Sequence, residues 1–424
     1  EVNRMSAYEK NIEFDATAIA PVRYGTPELE ALLRAIGQSA ATSKAVGNNP
    51  FPAIELIRES RLGAIRVPVN GGGGGCSVRE YFSMLMDLAG ADSDVAQIMR
   101  IHFWFTEESL RTTDSAVRQR WLSRVVAGEI FGNAITETGS TAKVGEFATQ
   151  TRLEPMDDGY LLNGTKYYCT GSLFADWVLV AASTANGEVL DVIVPCDREG
   201  VTLEDDWDGV GQRFTGSGTG RFENVMVAKE ECLGRSASIN ATGNETSLST
   251  APYLYGQFLQ LILTATVVGN MRNVLSEAIR LVRTRKRTFT HASADTTAAD
   301  PQFQEVIGRL SASTLAAESM VLAAAEAQDL VLDSENDTDF DFELAHRASL
   351  LAAQAKVFVD DIAPRTASLL FELGGASSTV RKSGLDMHWC NIMTLCAHNP
   401  ATFKARAIGD FLINATPLPG NYYF

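Results

Sequence analysis

The sequence is sparing with side chains that exchange protons near neutrality. It has five histidines, and two of them stand inside apolar text: His102 in "MRIHFWF" and His398 in "HWCNIMTLCAHNP", which also holds His388. An imidazole with a pKa of about 6.5 can give or take a proton at neutral pH, so either residue suits acid–base work on a bound reactant. Each also has a purely structural explanation. His102 can pack on an aromatic helix face, and His398 can close a helix whose C-terminal dipole favours it before Pro400 ends the run. His291 and His346 fall on polar segments and read as surface residues. No His, Cys and carboxylate cluster has the spacing of a metal site, so none is expected.

A second grouping pairs an aromatic with a hydroxyl. In "NGTKYYCTG", from Asn163 to Gly171, a strand continued from Leu161 puts Lys166, Tyr168 and Thr170 on one face and Tyr167 and Cys169 on the other. Such a face can hold an isoalloxazine-like ring, the aromatic packing on it and the hydroxyl bonding its edge. The same pattern also serves cross-strand aromatic packing in a half-buried strand.

The glycine-rich stretches carry less. The run Gly71 to Gly75 lacks the Gly-Lys-Ser/Thr of a phosphate loop and is expected to be a flexible loop. "GSGTG", Gly216 to Gly220, is followed by strand-like residues where a dinucleotide fingerprint needs a helix. The six cysteines form no C-x-x-C pair and read as buried thiols of a cytosolic protein. A formal net charge of −16 argues against a nucleic-acid partner, since phosphate binding needs a basic face and the longest basic run is "RTRKR", Arg283 to Arg287. The most apolar stretch, "FLQLILTATVVG" from Phe258, is shorter than the roughly 20 residues that span a bilayer, and no signal pattern opens the chain. No membrane is expected, and the expected compartment is the cytoplasm.

These residues must be positioned by three regions of different grammar, an α+β arrangement. Residues 1–128 read as helices, with apolar spacing in "TPELEALLRAIGQSAATSKAV" and "VREYFSMLMDLAGADSDVAQIMRIHFWFTEESL". Residues 129–237 read as short strands with Asp158-Gly159 and Asn163-Gly164 turn signals, an antiparallel domain expected to be a small barrel. Residues 238–424 read as long helices, Pro252–Thr284, Pro301–Leu332, Glu343–Gly374 and Leu385–Asn399, with another from Ala401 to Asn414, enough for a four-helix bundle.

In that order the regions resemble the acyl-CoA dehydrogenase superfamily, whose fold holds a flavin between β-domain and bundle. "GNAITETGS" (Gly132 to Ser140) is similar to its Thr-Glu-Pro…Gly-Ser loop, "NGTKYYCTG" to its Asn-Gly-x-Lys-x-Trp-Ile-Thr strand, and "VGQRFTGSGTGRFENVMV" to its glycine-serine turn and following strand. An acyl-CoA dehydrogenase needs a glutamate base, kept late in the chain or on the first long bundle helix. Here no Asp or Glu lies between Glu245 and Glu277, and after Glu372 the only carboxylates are Asp386 and Asp410.

The late position instead resembles the flavin-dependent monooxygenase branch, in which a Trp-x-Asn pattern precedes His-Asp-Pro. Trp389, Asn391 and His398-Asn399-Pro400 match it, with Asn399 in place of the usual Asp and Leu395 in place of a further histidine. The resemblance implies a two-component monooxygenase in which reduced FMN from a separate flavin reductase reacts with O₂ through a C4a-hydroperoxide. His102, His398 and Thr170 would be catalytic. Asn133, Thr136, Tyr168, Thr170, Trp207, Ser217 and Arg287 would bind flavin, Arg287 at a phosphate across a subunit boundary of a homotetramer. Phe103, Trp104, Tyr253, Tyr255, Trp389 and Met393 suggest an apolar pocket for a small organosulfur compound, or for an aromatic or amine; the alternative for them is core. Two other functions stay open: an FAD-dependent acyl-CoA dehydrogenase or oxidase, and a non-catalytic flavin-binding scaffold.

Overall fold

The computed structural model describes residues 21–112, 114–138, 149–235, 251–334, 341–421 and 424. Gly139 and Ser140 of the first quoted loop, positions 335–340 of the acidic connector and the side chain of Tyr255 lie outside them.

Six helices come first: α1 (Pro27–Ala45), α2 (Phe51–Ser60), α3 (Val78–Ala91), α4 (Ser93–Ile98), α5 (Arg100–Arg111) and α6 (Ser115–Ala127). Their starts are written locally. Thr26 accepts from the Leu29 N–H ahead of Pro27, Ser77 and Glu80 form a reciprocal capping box, and Asp92 accepts from the N–H groups of Asp94 and Val95. The five-glycine run is not the flexible loop expected. The N–H groups of Gly74, Gly75 and Cys76 donate to the carbonyls of Ala64, Val67 and Ile65 at 2.9–3.1 Å. A Cβ on Gly73 would fall 2.1 Å from the Val67 oxygen, so glycine is there because two backbones touch.

The middle region is one curled eight-stranded sheet in the order β6-β7-β3-β2-β4-β5-β8, with β1 beside β4. The strands are β1 (Phe131–Ala134), β2 (Arg152–Met156), β3 (Gly159–Lys166), β4 (Trp177–Ser183), β5 (Val189–Pro195), β6 (Val201–Leu203), β7 (Gly220–Ala228) and β8 (Cys232–Arg235). Both expected turn dipeptides fall in β3 or at its start, where β2 and β7 pair with it antiparallel. The expected small barrel is this curled sheet, with β6 and β8 at the ends of its path; its strands are antiparallel as expected except where β1 and β2 run parallel to β4.

The last region contains α7 (Ala251–Thr284), α8 (Pro301–Asp333), α9 (Phe342–Gly374), α10 (Asp386–Cys396) and α11 (Ala401–Asn414). Residues 261–271 of α7 are all buried, because α3, α8, α9 and α10 surround it; a helix apolar on every side belongs at such a centre. Phe258 on α7 stacks on Tyr81, which also meets Phe82 and Phe103, joining the first region to the bundle through rings. Asp329 of α8 adds a polar tie by accepting from the Val78 and Arg79 N–H groups at the start of α3, at 2.7 and 2.9 Å. By length and composition α7 and α8 are apolar enough to cross a bilayer; α7 spends that surface inside the bundle, whereas α8 leaves an outer face open.

Candidate active site

Contacts of four kinds bring the three regions to one place. Gly171 lies against the end of α4, where a Cβ would fall 2.4 Å from the Ile98 oxygen. At the start of β1 the Phe131 N–H donates to His102 Nδ1 at 3.3 Å, and across the bundle Arg100 Nη1 meets His398 Nε2 at 3.3 Å. The loop from Trp207 to Thr219 is latched to both helical regions: Gln212 N–H donates to Asn391 Oδ1 (2.7 Å), while Gln212 Nε2 and Asn391 Nδ2 both donate to Ser93 Oγ (3.1 and 3.0 Å). On the same loop a Cβ at Gly211 would strike the Cys390 carbonyl at 2.2 Å.

The sheet contributes a line of hydroxyls. Thr170 Oγ1 and Ser217 Oγ are 2.8 Å apart, Ser217 and Thr215 2.7 Å, and Thr215 Oγ1 donates to the Gln212 carbonyl. Two buried amide oxygens nearby, Oδ1 of Asn133 and Oε1 of Gln212, have no hydrogen-bond partner. Buried acceptors are costly unless a donor meets them, so this wall is built to receive a molecule with N–H groups at its edge. A flavin ring has such an edge, and these acceptors with the neighbouring hydroxyls fit one.

The strand alternation expected for Tyr168 does not hold. β3 ends at Lys166, which turns inward to Glu137 Oε1 (2.7 Å) and Thr149 Oγ1 (2.9 Å). Burial pushes the Glu137 carboxyl up, but the bonds from Lys166, Thr149 and Thr151 outweigh it and bring the pKa to about 2. Tyr168 follows with φ at 57°, a left-handed turn that throws its ring outward, 53% exposed and edge-on to Trp207 at 5.9 Å. Lys166 and Tyr168 therefore do not share a face. Trp207 is anchored by Nε1 donating to the Gln212 carbonyl, and Thr136 is exposed with its carbonyl taken by the Tyr167 N–H.

The two histidines part company. His102 is 1% exposed, packed between Phe103 and Phe131, and its Nε2 edge faces Gly63, where a Cβ would lie 2.3 Å away. Burial lowers its pKa to about 4, with Arg58 acting the same way and the Gly63 backbone and Asp176 opposing. His398 follows α10, and its N–H closes the helix on the Leu395 carbonyl at 3.3 Å. The residue as a whole is exposed to water, although protein surrounds its ring on most sides. The enclosing protein holds its pKa well below the usual histidine value, shielded in part by that water, and Arg100 and Lys356 push the same way.

Residues expected to line one pocket are scattered. Phe103 and Trp104 lie in two core clusters, and Tyr253 packs on Phe342 and His346 while donating to the Leu418 carbonyl. Trp389 and Met393 are half-buried, one turn apart on α10. Arg287 is exposed at the far end of α7. His291 is exposed as expected, but His346 is buried, its Nε2 accepting from the Leu418 N–H at 3.0 Å; the polar sequence around it had hidden that. Arg100, Ser93, Gln212 and Thr215 were missed. An arginine in the aromatic text "MRIHFWF" was the available signal for the first.

Family models for the acyl-CoA dehydrogenase middle domain (residues 132–225) and C-terminal domain (residues 261–403) match this chain, together more than half of it. The chain belongs to the acyl-CoA dehydrogenase superfamily. Relatives that match most of its length include monooxygenases. The dibenzothiophene monooxygenase of Mycolicibacterium goodii is 28% identical over 419 residues, covering 96% of this chain and 98% of that protein. The probable FMNH₂-dependent monooxygenase SfnC of Pseudomonas putida is 26% identical, covering 91% and 94%. TdsC from Paenibacillus sp. A11-2, solved with FMN and indole, superposes with a TM-score of 0.84 at 26% identity over 94% of this chain and all of that one. This member of the superfamily thus lacks, among its described residues, a carboxylate on α7 before Glu277, and carries a histidine, His398, met by Arg100 of α5, where α10 turns into α11.

Proposed function

We propose that this chain is an FMN-dependent monooxygenase that oxygenates a small organosulfur or aromatic substrate, with reduced flavin delivered by a separate reductase. The observation that carries the reading is His398, an exposed, neutral histidine met by Arg100 just after α10, where a dehydrogenase of this fold would need a carboxylate base. Bound reduced FMN supplies the two electrons that activate O₂, one oxygen atom going to substrate and the other leaving as water.

The chain's own residues hold, orient and exclude. Asn133, Thr170 and Ser217 hold the ring edge. The Ser93–Gln212–Asn391 latch keeps the loop from Trp207 to Thr219 closed over the junction, which limits water at the reacting atoms. His398 accepts at Nε2 from Arg100 and so keeps its own proton on Nδ1, from which it can donate. The open face of α8, with Gly308, Ser311, Ala312, Leu315, Ser319 and Ala323 exposed, suits close packing of a second copy and supports the homotetramer proposed here.

The test supplies the protein with FMN, NADH and a flavin reductase under ¹⁸O₂, with dibenzothiophene, indole or methanesulfinate. One ¹⁸O atom per product molecule is expected. Unlabelled substrates throughout, together with bleaching of protein-bound FAD by an acyl thioester, would establish the dehydrogenase instead.

A further inference from the structure

After α11 the chain turns at Ala415, in a left-handed conformation, and continues as "TPLPGN", residues 416–421, which hold no titratable side chain. Prolines on both sides leave Leu418 with the only backbone N–H between Thr416 and Gly420. That N–H donates to His346 Nε2 of α9 at 3.0 Å, and the Leu418 carbonyl accepts from the Tyr253 hydroxyl of α7 at 2.9 Å. The leucine side chain is 1% exposed, in a cluster with Ala353 of α9 and with Ile408 and Phe411 of α11. Gly420 lies close on Tyr253, where a Cβ would fall 2.9 Å from the ring. One leucine thus ties the exit of α11 to the starts of α7 and α9, and α11 itself begins just after His398.

Of these holds, only the one on His346 can be undone by a proton. Nε2 accepts, so it must be bare; an imidazolium has two N–H groups and no acceptor, and would set a donor against the buried Leu418 N–H. The ring packs against Phe342 of its own helix, Tyr253 of α7 and Phe411 of α11. Of these only Tyr253 titrates, and burial raises its hydroxyl further from neutrality. Burial lowers the His346 pKa below the usual histidine value, against Glu343, the one charge acting on the ring, which favours the proton. Lys404 faces the Phe424 ring, with Lys356 and Asp360 acting on it. We propose that residues 417–420 are an acid-released strap, pinned to the bundle by neutral His346 and let go when that ring takes a proton. The docked ring binds its proton less readily than the free one, so the released strap takes up the extra proton as pH falls below about 6.5, and docking weakens there.

The experiment follows hydrogen–deuterium exchange of the whole protein by mass spectrometry from pH 7 to pH 5. It reads a peptide containing Leu418 against one from residues 261–271 at the centre of the bundle, each rate divided by that of the same peptide free in solution at that pH. In wild type the Leu418 peptide should lose roughly 10-fold or more of its protection across the range while the bundle peptide keeps its own. His346→Gln keeps an acceptor that does not titrate, so protection should stay within about threefold from pH 7 to pH 5. Tyr253→Phe removes a hold that no proton touches in this range, and should lower protection by a similar factor at every pH with the wild-type slope unchanged. Each variant is first checked by its melting curve, and were His346→Gln not to fold, the two wild-type peptides and Tyr253→Phe would still decide. Flat wild-type protection would overturn the strap, as would the same slope in His346→Gln. Parallel loss in the bundle peptide would overturn it too, by making the event acid unfolding of the whole chain.

Discussion

Helix α5 has two faces that handle polar groups in opposite ways. Residues two apart on a helix point about 200° from each other, so Arg100 and His102 cannot look at the same neighbours. His102 turns into a dry region of rings, Phe103, Phe131 and, beyond them, Phe105 and Trp121. Arg100 turns to His398, a residue exposed to water. The same residue type can serve packing in one place and proton handling in another, and what decides is the helix face and the water it meets.

The sharpest way to break this contrast is to remove each histidine. His398→Ala should reduce oxygenation by roughly 100-fold or more, the scale of a lost acid–base group, with flavin affinity unchanged; labelled product per turnover measures it. His102→Gln should lose activity only in proportion to the folded fraction, and an equal loss of turnover per folded molecule in both variants would abolish the distinction.

A pH titration of stability probes the dry face. His102 has a folded pKa of about 4 against 6.5 when free, so the unfolded chain binds the extra proton between those values. Stability present above pH 6.5 is therefore lost as pH falls toward 4, by on the order of 3 kcal/mol, and His102→Gln should flatten that slope in urea melts.

A buried lysine gives an effect of similar size in its own pH window. Lys404 of α11 is buried 4.3 Å over the Phe424 ring, with no hydrogen bond to its amine. Burial, then Lys356, lower its pKa to about 7 from 10.5, against Asp360. The unfolded state binds the extra proton from pH 7 to 10.5, so wild-type stability climbs across that range. Lys404→Met should gain on the order of 4 kcal/mol at pH 6, and the gain should vanish toward pH 10.5.

Much of the fold was legible because its cues are local. Helical apolar spacing placed α7, α8, α9 and α11 within a residue or two, since caps such as Asp300 and Asp341 sit next to the helices they start. What escaped depended on contacts distant in sequence. The glycine run looked flexible because only the tertiary fold brings Val67 against Gly73. Tyr168 broke its alternation because a left-handed turn leaves no periodic trace. His398 was found through its resemblance to a family motif, whereas Arg100, two residues from a histidine that drew the eye, had no motif to mark it.

The hydroxyl of Ser93 accepts from Gln212 of the sheet region and from Asn391 of the bundle, while its own backbone opens α4. One oxygen atom thus ties three parts of the chain that are more than a hundred residues apart. On the proposed function, a flavin held against the Trp207–Thr219 loop would be released faster when that tie opens. Its residence time would then report how often the three regions breathe apart, and Ser93→Ala should shorten that time while leaving each region folded.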